Sequence, residues 1–221
     1  PGISLTYGIV FAWGAGLMMA GLASLEAASL FMALAGGFLL VGPCLAVGLY
    51  HASRHVAAGR PITLKAPADK PVHFGDTKEG SMALRLPAWM TPSHSYNKKK
   101  TDGKGSIVND SGVRDAATWG KRSKWVDYYA PKDGKVYGVA MFDHPSNPRH
   151  PTWWHVRDYG LFAANPFGQH DFESLKNNPK AGDMTIPAGG SVTFRYRIVF
   201  HLGDEKAARI AERFDAYAAG K

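Results

Sequence analysis

No lysine or arginine occurs between Pro1 and Tyr50, and Glu26 is the only acid among those residues. Few chains keep charge out for so long, and the gap limits what the segment can become. Leu5–Leu25 is an uncharged run of the length that crosses ~30 Å of hydrocarbon as a helix, and Ala28–Tyr50 is a second such run. Lipid cannot satisfy open backbone groups, so both are expected to be helices of a transmembrane hairpin turning at Glu26. Gly8, Ala12, Gly16 and Ala20 place a small residue at every fourth position, a stripe on which two such helices can self-associate. His51, Arg54, His55, Arg60 and Lys65 follow the second run. By the positive-inside rule they put both ends of the hairpin in the cytosol. The expectation is a multi-pass protein of the inner (cytoplasmic) membrane, its C-terminal part on the cytoplasmic side and the lipid bilayer its first partner.

The stretch AGGFLLVGPCLAVGLYHASRHVAAGRP (Ala35–Pro61) resembles a predicted integral-membrane family of unknown function. The resemblance covers about residues 2–64, the last two helices of a longer membrane domain.

Beyond Leu64 the texture changes. Ala66-Pro67-Ala68-Asp69-Lys70-Pro71 reads as a linker, dividing the chain into 1–64 and 65–221. Short apolar stretches then alternate with turn residues: Ser81–Leu86, Trp125–Tyr129, Val136–Phe142, Gly160–Ala164 and Ser191–Phe200. In the last, Val192, Phe194, Tyr196, Ile198 and Phe200 share one face while Thr193, Arg195, Arg197 and Val199 share the other, the period of a half-buried strand. Asp204 can cap a C-terminal helix whose apolar stripe is Ala207, Ile210, Ala211, Phe214 and Tyr217. The expected fold is thus a two-helix transmembrane hairpin followed by a mainly antiparallel β-sandwich with a C-terminal α-helix. Asn97–Gly105 is expected to be an exposed, mobile loop. The single Cys44 excludes an intramolecular disulfide framework and a CxxC zinc site. The net charge of +8, concentrated at Lys98, Lys99, Lys100, Lys104, Lys121, Arg122 and Lys124, suits anionic lipid headgroups. No nucleic-acid motif accompanies it, and no nucleic-acid partner is expected.

Chemistry is densest between Asp143 and Asp171, where His144, His150, His155 and His170 lie among Arg149, Arg157, Asp158, Asn165 and several aromatic rings. Pro145, Pro148 and Pro151 stiffen the approach. If Thr152–Asp158 is extended, Trp153, His155 and Arg157 share one face and Trp154, Val156 and Asp158 the other. The first face would offer an aromatic platform, a titratable imidazole and a fixed cation. His150, His155 and Asp158 are the acid–base candidates, since imidazole titrates near working pH. His144, Arg149, Trp153, Arg157 and Asn165 are the ligand-binding candidates. The alternative is that these groups satisfy one another, Arg149 or Arg157 pairing with Asp143 or Asp158 and the histidines bonding backbone carbonyls. Asp76 and Glu79, beside His73 and Lys78, form either a second polar cluster or a charged turn.

HFGDTKEGSMALR, WGKRSKWVDY, FDHPSNPRHPTWWHVRDYGLFAANPFG and IPAGGSVTFRYRIVFHLGD together resemble the methane oxygenase PmoA-like family, over about residues 65–217. The resemblance implies a β-rich domain, incomplete here at its N-terminal side, and a carbohydrate-related setting. Its name implies an oxidoreductase with copper or iron on His144, His150 and His155. Three readings follow: a membrane-tethered domain that binds or processes a small polar molecule, such an oxidoreductase, or a non-enzymatic interaction module.

Overall fold

The computed structural model describes residues 61–92, 95–96, 99–100 and 103–220. The two expected spans, 5–25 and 28–50, and the stripe Gly8, Ala12, Gly16 and Ala20 lie outside the described residues.

Among the described residues nearly all regular structure is β. In chain order the strands are β1 (Ile62–Lys65), β2 (Val72–Phe74), β3 (Met82–Arg85), β4 (Ser95–Tyr96), β5 (Lys99–Lys100), β6 (Ser106–Asn109) and β7 (Trp125–Lys132). They continue with β8 (Lys135–Asp143), β9 (Trp153–Val156), β10 (Leu161–Asn165), β11 (Met184–Ile186), β12 (Ser191–Phe194) and β13 (Tyr196–Leu202). The α-helices among the described residues are α1 (Gln169–Phe172) and α2 (Ile210–Ala218). A four-stranded antiparallel sheet runs β13-β8-β7-β6 and a three-stranded one β3-β10-β9, with two-stranded ladders β1-β12, β11-β2 and β4-β5. The longest hairpin, β7–β8, closes on Asp133-Gly134, both with positive φ (51° and 75°) between the paired Lys132 and Lys135. An Asp-Gly pair is the turn whose twist matches that of the flanking strands.

Period-2 alternation sends successive side chains of the four-stranded sheet to opposite faces. Ile107, Val126, Tyr128, Ala130, Val139 and Met141 face the three-stranded sheet, meeting Trp154, Val156, Phe162 and Ala164 in one buried core. Val108, Trp125, Ala140 and Phe142 face the other way, against Ala208, Ile210 and Phe214. The four-stranded sheet is therefore covered on both sides, by a sheet and by a helix. Trp153 and His155 alternate with the core-facing Trp154 and Val156, so they belong to the outer face of the three-stranded sheet.

Among the described residues no helix is long and apolar enough to cross a membrane. The described helices span four and nine residues, well short of the ~20 a crossing needs. This corrects the expected fold class and the multi-pass, inner-membrane placement: what stands is a mainly antiparallel β-sheet domain ending in a helix. Other local differences have simple causes. The expected strand Ser191–Phe200 is broken at Arg195, because β12 pairs with β1 whereas β13 pairs with β8. Asp204 caps a turn rather than the helix, accepting from the backbone N–H of Ala207 (2.8 Å), and Arg209 in the left-handed region (φ 55°) separates that turn from α2. In the expected loop at 97–105, Lys99–Lys100 pairs with Ser95–Tyr96, and Gly103 is buried.

Candidate functional site

Asp143 ends β8 and is fully buried. One carboxylate oxygen accepts from His150 Nδ1 (2.7 Å) and the Thr152 backbone N–H (3.0 Å). The other accepts from the Asn147 amide (2.7 Å). The Thr152 and Asn147 groups can only donate to it, so it acts as acceptor throughout and His150 carries its proton on Nδ1. Burial pushes the Asp143 carboxyl above its usual range, and the donors from Asn147, His150 and Thr152 pull it back. Asn147 also clasps the break between β12 and β13, donating to the Arg195 carbonyl (2.7 Å) while its own oxygen accepts from the Arg195 N–H (2.6 Å). A polar pin thus fixes the 144–151 loop to the sheet end.

Around this pin lie His144, Arg195, Arg197 and, from α2, Phe214 and Tyr217. The His150 ring is parallel to Phe214 with centroids 6.5 Å apart, and the His144 ring meets Tyr217 edge-on at 5.0 Å. His144 Nδ1 accepts from the Ser146 N–H (3.1 Å), which leaves the proton of the neutral ring on Nε2. Burial, then the nearby charges of Arg195 and His150, lower its pKa. The Arg197 guanidinium lies 4.4 Å from the Tyr217 ring centroid. Burial pushes the Tyr217 phenol up to about 12, so at neutral pH it is a hydrogen-bond donor. The imidazole of His150 is therefore held through Nδ1 by a buried carboxylate and lies against Phe214, while the neighbouring Tyr217 gathers Arg197 and His144.

His155 stands apart on the outer face of the three-stranded sheet. Its Nδ1 donates to the Lys78 carbonyl (2.7 Å). Burial lowers its pKa below the ordinary 6.5, so at neutral pH the ring is uncharged and Nε2 is a bare acceptor. Trp119 and Phe172 meet it edge-on at 6.4 Å and 6.1 Å. A lowered folded pKa means that the unfolded chain binds more protons below pH 6.5. His155 therefore contributes stability that is complete above 6.5 and is lost as pH falls through its folded value. Urea denaturation from pH ~7.5 to ~5 should show a steeper loss of stability in the parent than in His155→Gln. Equal slopes would contradict the assignment.

Other sequence candidates are tied into the scaffold. Arg149, at a left-handed φ of 64°, donates to the carbonyls of Pro166 (2.7 Å), Gly182 (2.6 Å) and Asp183 (2.7 Å). Three charge-assisted bonds offset the backbone strain and leave the guanidinium committed to structure. Asp76 accepts from the N–H groups of His170 (2.8 Å) and Gly182 (2.5 Å). Asn165 is fully buried, donating to the Thr77 carbonyl and accepting from the Phe167 N–H, each at 2.8 Å. Glu79 is exposed on the turn before β3. Trp153 shares a face with His155 but is 3% exposed, its ring covered by Arg122 at 4.5 Å and its indole N–H bonded to Glu173 (3.1 Å). It is a packed ring, not an open platform. Trp119 occupies the place beside His155 that the sequence suggested for Trp153. Asp158 lies in the turn between β9 and β10, where its charge adds to the burial that raises the Tyr128 phenol; among the described residues it bonds neither His150 nor His155.

The three histidines expected to hold copper or iron do not converge. Their Nδ1 atoms serve Ser146, Asp143 and the Lys78 carbonyl respectively. Among the described residues no group of three or more His, Cys, Asp or Glu is arranged to hold a metal ion, so that ligand set does not fit the geometry.

Sequence reading missed Asn147, Arg195, Arg197 and Tyr217 as site residues. Tyr217 was legible only as part of a helix stripe, and the arginines only as the outward face of a strand.

The fold and this cluster define an antiparallel β domain with a buried carboxylate–imidazole pair at one sheet end. The chain belongs to a family of unknown function (DUF6807), which matches residues 47–215. No curated protein and no solved structure matches it. The methane oxygenase and membrane labels are corrected by this match, because the matching family is one of unknown function and supports neither.

Proposed function

We propose that this domain binds a small polar, carbohydrate-related molecule bearing negative charge at the Asp143–His150 cluster and processes it by general acid–base chemistry. The observation that carries the reading is the His150 Nδ1–Asp143 bond of 2.7 Å to a fully buried carboxylate. Such a bond fixes the ring's tautomer and orientation, so that Nε2 is the atom at which a proton comes and goes. Arg195 and Arg197 supply a positive field for an anionic group, and Tyr217 and His144 supply neutral donors for hydroxyl or carboxylate oxygens. Sequence alone had assigned that grip to Arg149 and Arg157; the scaffold uses Arg149 instead, and Arg157 follows β9 in the other sheet.

The test is an NMR binding screen over sugar acids and sugar phosphates, followed by product analysis of the hits. His150→Gln keeps a polar side chain of similar length. It should lower kcat by about 10²–10⁴ for any substrate found, with Arg195→Gln acting mainly on KM. Binding and turnover of every hit unchanged in both variants would refute the proposal.

A further inference from the structure

We propose that the outer edge of β13 is a docking surface for the chain's own residues 54–60, which continue β1 and add one strand to the four-stranded sheet. Backbone direction along β12 and β13 carries the inference. Successive residues of a strand present their N–H and C=O groups to opposite edges. Gly190 accepts from the Ala66 N–H (2.9 Å) at the end of the β1–β12 ladder, so even-numbered residues face β1. Arg195 accepts from the His144 N–H (3.2 Å) and the Gly203 N–H donates to Val136 (2.9 Å), so odd-numbered residues face β8. The break at Arg195 leaves the two edges in place. Tyr196, Ile198, Phe200 and Leu202 therefore turn their backbone groups to the side on which β12 holds β1. Among the described residues β13 is the outermost strand of its sheet on that side.

The chain outside the described residues arrives at this edge. β1 begins at Ile62, opposite Phe194, the last residue of β12. Carried on one residue for one, the same antiparallel register sets Arg60 opposite Tyr196, Ala58 opposite Ile198, Val56 opposite Phe200 and Arg54 opposite Leu202. Pro61 falls opposite Arg195, where the backbone groups of the added strand turn away from β12, so its missing N–H removes no bond of the ladder. Proline also biases the residue before it, here Arg60, toward extended backbone. The family match starts at residue 47, so the stretch is counted in the same domain as β13. The surface to be covered is apolar: Phe200 and Leu202 are 57% and 61% exposed, and Tyr137, opposite Leu202, is 38% exposed. In this register Val56 and Ala58 flank Phe200 and Ile198 on that face, since opposed residues share a face. Arg54 and Arg60 bracket the new edge, and charge on an edge strand discourages pairing with another chain.

The test uses the full chain in a Cys44→Ser background, with oxidised glutathione as oxidant and peptide mass spectrometry as readout. Ala57 and Val199 are a non-hydrogen-bonded pair in this register, with Cα atoms ~4.5 Å apart, within reach of a disulfide. The double variant Ala57→Cys/Val199→Cys should link within one chain. It should do so about tenfold or more faster than Ala58→Cys/Val199→Cys, because a one-residue slip turns the side chain to the other face. Amide exchange gives an independent reading. The Ile198 and Phe200 amides should be protected in the parent and exchange about tenfold or more faster in Ala58→Pro, which removes a ladder donor, while Val126 in the buried β7 is unchanged. Equal linking of both pairs, or linking of neither, overturns the proposal, as do unprotected Ile198 and Phe200 amides in the parent. A Val199→Cys single variant that links chain to chain gives the edge to a second copy and overturns it too.

Discussion

Replacing Gly138 by alanine should destabilise this domain by about 3–5 kcal/mol, the range seen when one partner of a buried ion pair is lost. Gly138 sits in β8 between Tyr129 of β7 and His201 of β13. The His201 ring crosses directly over it to reach Asp127, where Nε2 meets the carboxylate at 2.8 Å. Both side chains are essentially sealed from solvent, at 1% and 0% exposed. A methyl group at position 138 would fall inside van der Waals contact with the Cε1 and Nε2 atoms of that ring. Glycine is required here for space and not for an unusual φ. With the imidazole displaced, Asp127 keeps its buried carboxylate but loses the side chain that offsets its burial, and burial already pushes that carboxyl above its usual range. Urea denaturation gives the cost. In a His201→Ala background the same Gly138→Ala change should add little, because the ring it collides with is gone. If the full cost persists there, the backbone and not the ring is responsible.

Asp143→Ala should be comparably severe, at ~3–5 kcal/mol, which lowers Tm by about 10 °C in a domain of this size. It strips the acceptor from His150, Thr152 and Asn147 together. The backbone N–H of Thr152 is left unpaired in a buried position. Because Asn147 also holds both backbone groups of Arg195, the damage should spread to the join between β12 and β13. Amide exchange at Arg195 and Thr152 should accelerate beyond the global average. Calorimetry showing a Tm within about 2 °C of the parent would mean that the carboxylate is not the pin described here.

The strands show where local chemistry was enough. Trp125–Tyr129 and Val136–Phe142 form the central hairpin because alternating apolar residues flank an Asp-Gly pair, a signal contained within one short stretch. Tyr196 and Ile198 pack on the core face as their alternation required, while Phe200, on the same face, is 57% exposed. The pattern reports which residues share a face, not how far the opposing sheet extends.

The candidate site was legible as a region and not as a set of roles. Asp143–Asp171 does contain His144, His150 and His155, each of which acquires a fixed tautomer. Arg149, Asp76 and Asn165 looked equally functional in sequence, yet each is consumed by backbone partners brought in by loops distant along the chain. Trp153 is taken up by Arg122 and Glu173, and Trp119, from the loop before β7, stands beside His155 together with Phe172. The apolar opening lies outside the described residues. A run without charge shows that water is unsuited to it, but it does not say whether lipid or protein takes water's place.

The amino-acid order alone determined the β character, the strand faces, the hairpin turn and the apolar stripe of the C-terminal helix, since each depends on residues a few positions apart. Tertiary structure alone decided that His150 meets Asp143, that His155 meets the Lys78 carbonyl and that His201 reaches across a glycine to Asp127. The separations are 7, 77 and 74 residues. No local rule spans them: a side chain's partner is set by which strands lie side by side, and that follows from burying the core as a whole.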